Sequence, residues 1–88
     1  MNFLQYEIDA NANDVIEVQV DRPANVRLLD PSNFERFSQA RPHRYVGGRA
    51  EKSPLCVCAP YDGHWFVVVD VEDPAAPAIA SVHVRGAA

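Results

Sequence analysis

The sequence predicts an all-β fold, a small antiparallel sandwich or partly open barrel of about seven strands, with one short helix near residues 31–39. Three observations predict it. Apolar residues recur with period two through most of the chain, the pleat of half-buried strands. Turn-forming clusters interrupt that alternation at short intervals. A single segment, DPSNFERFSQ, departs from it. At 88 residues the chain has room for one core, so residues 1–88 read as a single β domain.

Leu4, Tyr6 and Ile8 alternate with Phe3, Gln5 and Glu7, and Ile16, Val18 and Val20 alternate with Glu17 and Gln19. ANAND between them is a turn, because Asn and Asp tolerate left-handed backbone and bond locally. DRPAN closes the second strand and opens a third, with Val26 and Leu28 inward and Arg27 outward, which reads as a meander. Asp30 then caps a helix, Pro31 suits its first position, and Phe34 and Phe37 share a face as lids over one end of the sheet. Gly47-Gly48 reads as a hairpin turn between HRYV and AEKSPLCVCAP, and Asp62-Gly63 as a second. HWFVVVDV is apolar on both faces in its middle, so it is the expected central strand, with Trp65 in or over the core. EDPAAPA is a loop, and IASVHVR is the last strand, with Ala80, Val82 and Val84 on one face.

Composition narrows the function classes. Hydrophobic content of 48% with 23% charged residues fits an ordinary globular chain rather than a disordered one. No apolar run exceeds the five residues Trp65–Val69, too few for a membrane span. MNFLQYEIDA lacks the basic and apolar regions of a secretory leader, so the expected location is the cytoplasm. A pI near 5.1 argues against broad nucleic-acid binding.

Cys56 and Cys58 stand two apart on a strand and share a face, with Cα atoms about 6.6 Å apart, at the edge of disulfide geometry. Zinc wants four ligands, and His43, His64 and His83 are scattered. The expectation is two reduced, buried cysteines packing as small hydrophobes, with no metal and no cofactor. His64 could act as a base with Asp62 as its orienter and Ser53 or Ser81 as nucleophile, yet no strained nucleophile turn is present. The plainer reading leaves His64 solvent-facing at a strand start.

The basic stretch carries the strongest functional signal. Residues 36–53 hold Arg36, Arg41, Arg44, Arg49 and Lys52 against Glu51 alone, a local +4 that leaves −8 elsewhere in a chain of net charge −4. Such charges commonly guard a sheet edge. Arginine's planar fork also suits phosphate and carboxylate, and Tyr45 and His43 add a stacking face and a titratable donor.

The order NVRLLDPSNFERF, RYVGGRAEKSP, GHWFVVVD resembles the bacterial family called domain of unknown function 1883, from Phe3 to about Val84. The resemblance singles out Ser32, Asn33 and Phe34, then Tyr45, Gly47 and Gly48, then Gly63, His64 and Trp65. It implies a small, mostly β module, joined in some members to a C-terminal Toll/interleukin-receptor-type domain, and it brings no active site.

The expected function is a non-enzymatic intracellular binding or adaptor module, recognising a small anionic ligand or a protein partner. Its binding residues would be Arg41, His43, Arg44, Tyr45, Arg49 and His64, on a surface shared by the helix, the 41–52 hairpin and the start of the GHW strand. A small hydrolase using His64 with a nearby acid is the alternative. A structural homo-oligomer joined through an edge strand is the third class.

Overall fold

The computed structural model describes residues 3–71 and 79–86. The described residues form seven strands and one helix: β1 (Leu4–Ala10), β2 (Val15–Val20), β3 (Ala24–Leu29), α1 (Pro31–Ser38), β4 (Val46–Ala50), β5 (Leu55–Cys58), β6 (Gly63–Val71) and β7 (Ala80–Arg85). They build two antiparallel sheets, of order β1-β6-β3-β4 and β5-β2-β7, which do not close into a barrel. The expected loop EDPAAPA, residues 72–78, lies outside the described residues. No helix among the described residues is long and apolar enough to cross a membrane.

Outside β5, the inward rows are those the alternation predicts. Ile16, Val18, Val26, Leu28, Trp65, Val67 and Val69 form the buried centre between the sheets, with Leu4, Tyr6 and Ile8 packed against it. The Tyr6 hydroxyl donates to the Ala80 carbonyl at 3.0 Å, tying one sheet to the other.

Strand partners differ from the expected meander. β1, β2 and β3 do not pair in series, because β2 belongs to the other sheet. Period two fixes which face a residue occupies, and it is silent on the neighbour across the ladder. The turn at 11–14 carries the chain between sheets, with Asn13 at φ 71° and the Asn11 amide donating to Asp14 Oδ2 at 2.9 Å.

Both expected hairpin turns are also corrected. Gly47 and Gly48 lie inside β4, level with Arg27 and Val26 of β3. Gly47 has φ 137°, and a Cβ there would fall 2.3 Å from the Val26 carbonyl oxygen. Glycine serves close approach of two strands, not a reversal. Asp62-Gly63 joins β5 to β6 across the sheets, and the Asp62 carboxylate accepts from the Ala12 amide at 2.6 Å.

The helix forms where expected. Asp30 caps it, accepting from the Asn33 amide, and Pro31 takes the first turn, where its missing N–H leaves nothing unpaired. It covers the outer face of the four-stranded sheet rather than an end. Phe37 is buried with Leu29 and Val68, and Phe34 stacks on Phe66 at 4.1 Å and 7°.

Two substitutions test this packing. Trp65, 3% exposed, should lose about 3–5 kcal/mol of unfolding free energy on replacement by Ala, read from urea denaturation. Gly47→Ala should also destabilise, by more than about 1 kcal/mol, because the new methyl meets backbone that cannot yield.

Candidate functional site

A cleft of about 320 Å³ opens beside the N-terminus of α1, where the ends of β3, β4 and β6 meet. Its floor is apolar: Leu28 near the end of β3, Val46 at the start of β4 and Trp65 near the start of β6. Its rim is polar and is set by one carboxylate. Asp30 Oδ1 accepts from the Asn33 amide at 2.8 Å and from Asn33 Nδ2 at 2.9 Å, while Oδ2 accepts from the Tyr61 hydroxyl. Asn33 Oδ1 in turn accepts from the Arg44 amide at 2.8 Å. One chain of hydrogen bonds therefore fixes the helix start, the segment before β4 and the segment before β6.

Partial burial alone would raise the Asp30 carboxyl, but the bonds from Tyr61 and Asn33 and the charge of Arg36 outweigh it and hold the group below its ordinary value. The same bond, aided by burial, raises the Tyr61 phenol. Asp30 is thus an occupied anion and Tyr61 a committed donor. Trp65 Nε1 donates to the Tyr61 carbonyl at 3.2 Å, and the two rings lie 4.7 Å apart.

The expected site residues divide between this cleft and the outer sheet face. Arg44 and Tyr45 line the cleft. Arg41 reaches Gln39 Oε1 at 3.4 Å, just past the helix. Arg49, on the edge strand β4, pairs with Glu51 at 3.1 Å. His43 sits against Phe37 and Tyr45, with ring centroids 5.3 and 5.8 Å away, and its Nδ1–H donates to the Arg41 carbonyl at 3.0 Å. The arginines do not converge.

His64 lies on the outer face at the start of β6, level with Asp9 of β1. Its Nδ1 meets Asp9 Oδ1 at 2.8 Å and its Nε2 meets Glu7 Oε1 at 3.0 Å. Both acceptors are carboxylates, so the favoured ring is the imidazolium, and its pKa is raised, chiefly by the Asp9 bond and then by Glu7. A ring held this way offers no lone pair for a base. Asp62 is engaged elsewhere, and the Ser53 hydroxyl accepts from the Val20 amide at 3.0 Å in a separate recess shared with Ser81.

Arg27 is a residue that sequence reasoning passed over. Its guanidinium carbon lies 5.3 Å from the Phe37 ring and 5.4 Å from the Tyr45 ring, while Nε and Nη1 are buried without a hydrogen-bond partner. Aromatic faces substitute for acceptors there. The outward parity of Arg27 was legible; the rings that enclose it come from other segments.

The cysteines require a correction too. Leu55 and Val57 are the inward residues of β5, and Cys56 and Cys58 are exposed and free. Both parities leave the strand half apolar, and the deciding factor is pairing with β2, which sets Val57 level with the buried Ile16.

A family model described as Domain of unknown function (DUF1883) matches residues 1–87. No curated protein and no solved structure matches.

The His64 clamp makes a signed prediction. A folded-state pKa above the unfolded value adds stability below about pH 6.5, and that stability is lost as pH rises through the raised folded pKa. The melting-temperature gap between the parent and His64→Gln should therefore shrink on going from pH 6 to pH 9. The His64 ring should titrate above its ordinary value by NMR, and Asp9→Asn should bring it back down.

Proposed function

Since the chain belongs to the DUF1883 family of domains of unknown function, we propose that its cleft is the binding surface of a non-enzymatic intracellular module, taking a small organic anion. The observation that carries this is a convergence. Asn33, Tyr45 and Trp65, one from each of three separated sequence blocks, line one cleft together with Arg44. The anionic group seats on the exposed Arg44 fork, and the apolar body rests over Leu28, Val46 and Trp65. Asp30 is already saturated by Tyr61 and Asn33, so it fixes the rim rather than competing for Arg44. The volume is at the low end of ligand pockets, roughly 300–1,000 Å³, which suits a ligand of about one ring.

Thermal shift with benzoate and phenyl phosphate, against chloride of matched ionic strength, tests the reading. Bidentate contact is specific and screening is not, so the aryl anions should stabilise selectively, by about 2.7 kcal/mol at a hundredfold excess over Kd. Arg44→Gln should weaken binding roughly ten- to a hundredfold, the value of a charge-assisted hydrogen bond. Arg49→Gln should bind as the parent does, because Glu51 already engages Arg49. Equal loss in both variants, or shifts no larger than with chloride, would remove the cleft as the site. A response only to acidic peptides would assign it to a protein partner instead.

A further inference from the structure

Cys56 and Cys58 remain outside the cleft and are used by nothing described so far. Free cysteine is among the most buried residue types, so two exposed thiols on one short strand call for a reason. β5 is an edge strand, and its inward Leu55 and Val57 anchor it to the core, which holds both thiols on the solvent face. Residues two apart on a strand have their Cβ atoms about 6.6 Å apart. A disulfide at that spacing is strained, so the pair stays a dithiol. Staggered rotamers that lean the two Cβ–Sγ bonds toward one another bring the sulfurs within the span of two opposed metal–sulfur bonds of about 2.3 Å each.

We propose that Cys56 and Cys58 form a two-coordinate dithiolate site for a soft monovalent metal ion, with copper(I) as its representative. The donor set selects that class. No group of three or more His, Cys, Asp and Glu among the described residues is placed to hold a metal, so tetrahedral zinc lacks its remaining ligands. A soft d¹⁰ ion is content with two thiolates. Glu17, level with Cys56 on β2, is occupied: its Oε2 bonds Arg85 at 3.3 Å and its Oε1 accepts from Gln19 at 3.2 Å. On the same sheet face Arg85 lies across Val15 from Cys58, and its ion pair with Glu17 offsets the one carboxylate level with the thiols. On binding, each thiol releases its proton to solvent and each sulfur donates a lone pair to the ion. No electron changes hands.

The test is anaerobic titration of the reduced full chain with copper(I), in competition with a chromogenic copper(I) chelator, followed by native mass spectrometry. One copper per monomer is expected, with two protons displaced. Cys56→Ser and Cys58→Ser should each weaken binding by more than about a hundredfold, since a soft ion left with one thiolate loses half its donors. Both thiols are exposed, so these variants should melt as the parent does, and His83→Gln should bind copper normally. Zinc should bind the parent no better than the double variant. Equal affinity in parent and single variants, or copper found only in dimers that share thiols between chains, overturns the site.

Discussion

The structure depends on a strand that must be covered on both faces. β6 sends Trp65, Val67 and Val69 into the space between the sheets and Val68 and Phe66 to the opposite side. A strand apolar on one face needs one layer against it; this one needs two. The second sheet supplies the first layer, and α1 supplies the other through Phe34 and Phe37. The helix is therefore not an ornament on a sandwich: together with Phe3, it is the apolar cover of the described outer face of β6. Its neighbours in the ladder, β1 and β3, extend the inward surface through Leu4, Tyr6, Ile8, Val26 and Leu28, and β3 adds Leu29 to the outer one.

Placing the helix on that face brings its N-terminus to the mouth of the cleft, and Asp30 joins the fold to the site there. A capping aspartate needs only the amides of its own helix. Asp30 additionally takes the Tyr61 hydroxyl, and the Asn33 it caps passes a bond on to Arg44. Stability and cleft shape thus share one carboxylate.

Charge is distributed by a different logic. Five cations crowd one stretch of sequence, yet a chain that turns from helix to coil to edge strand sends them in different directions. Arg49 sits on the edge of the larger sheet with Glu51, as edge protection would have it. Arg44 turns to the cleft, Arg41 reaches back to Gln39, and only Arg44 meets an apolar floor. Acidic residues are dispersed in the same way: Glu7 and Asp9, ordinary outward positions of β1, become the two arms that hold His64.

The sequence by itself determined the class of fold, the helix and its cap, the central strand and which residues of most strands face inward. These are local properties: a period of two, a proline after an aspartate, a run of apolar residues without a polar face. Only the tertiary structure decided which strands pair, that Gly47 separates two backbones instead of turning one, and that Cys56 and Cys58 face outward. It also decided that Tyr61 closes on Asp30 and that Phe37 and Tyr45 enclose Arg27. Each of these joins residues far apart in the chain, and alternation, which repeats every two residues, holds no record of a partner thirty positions away.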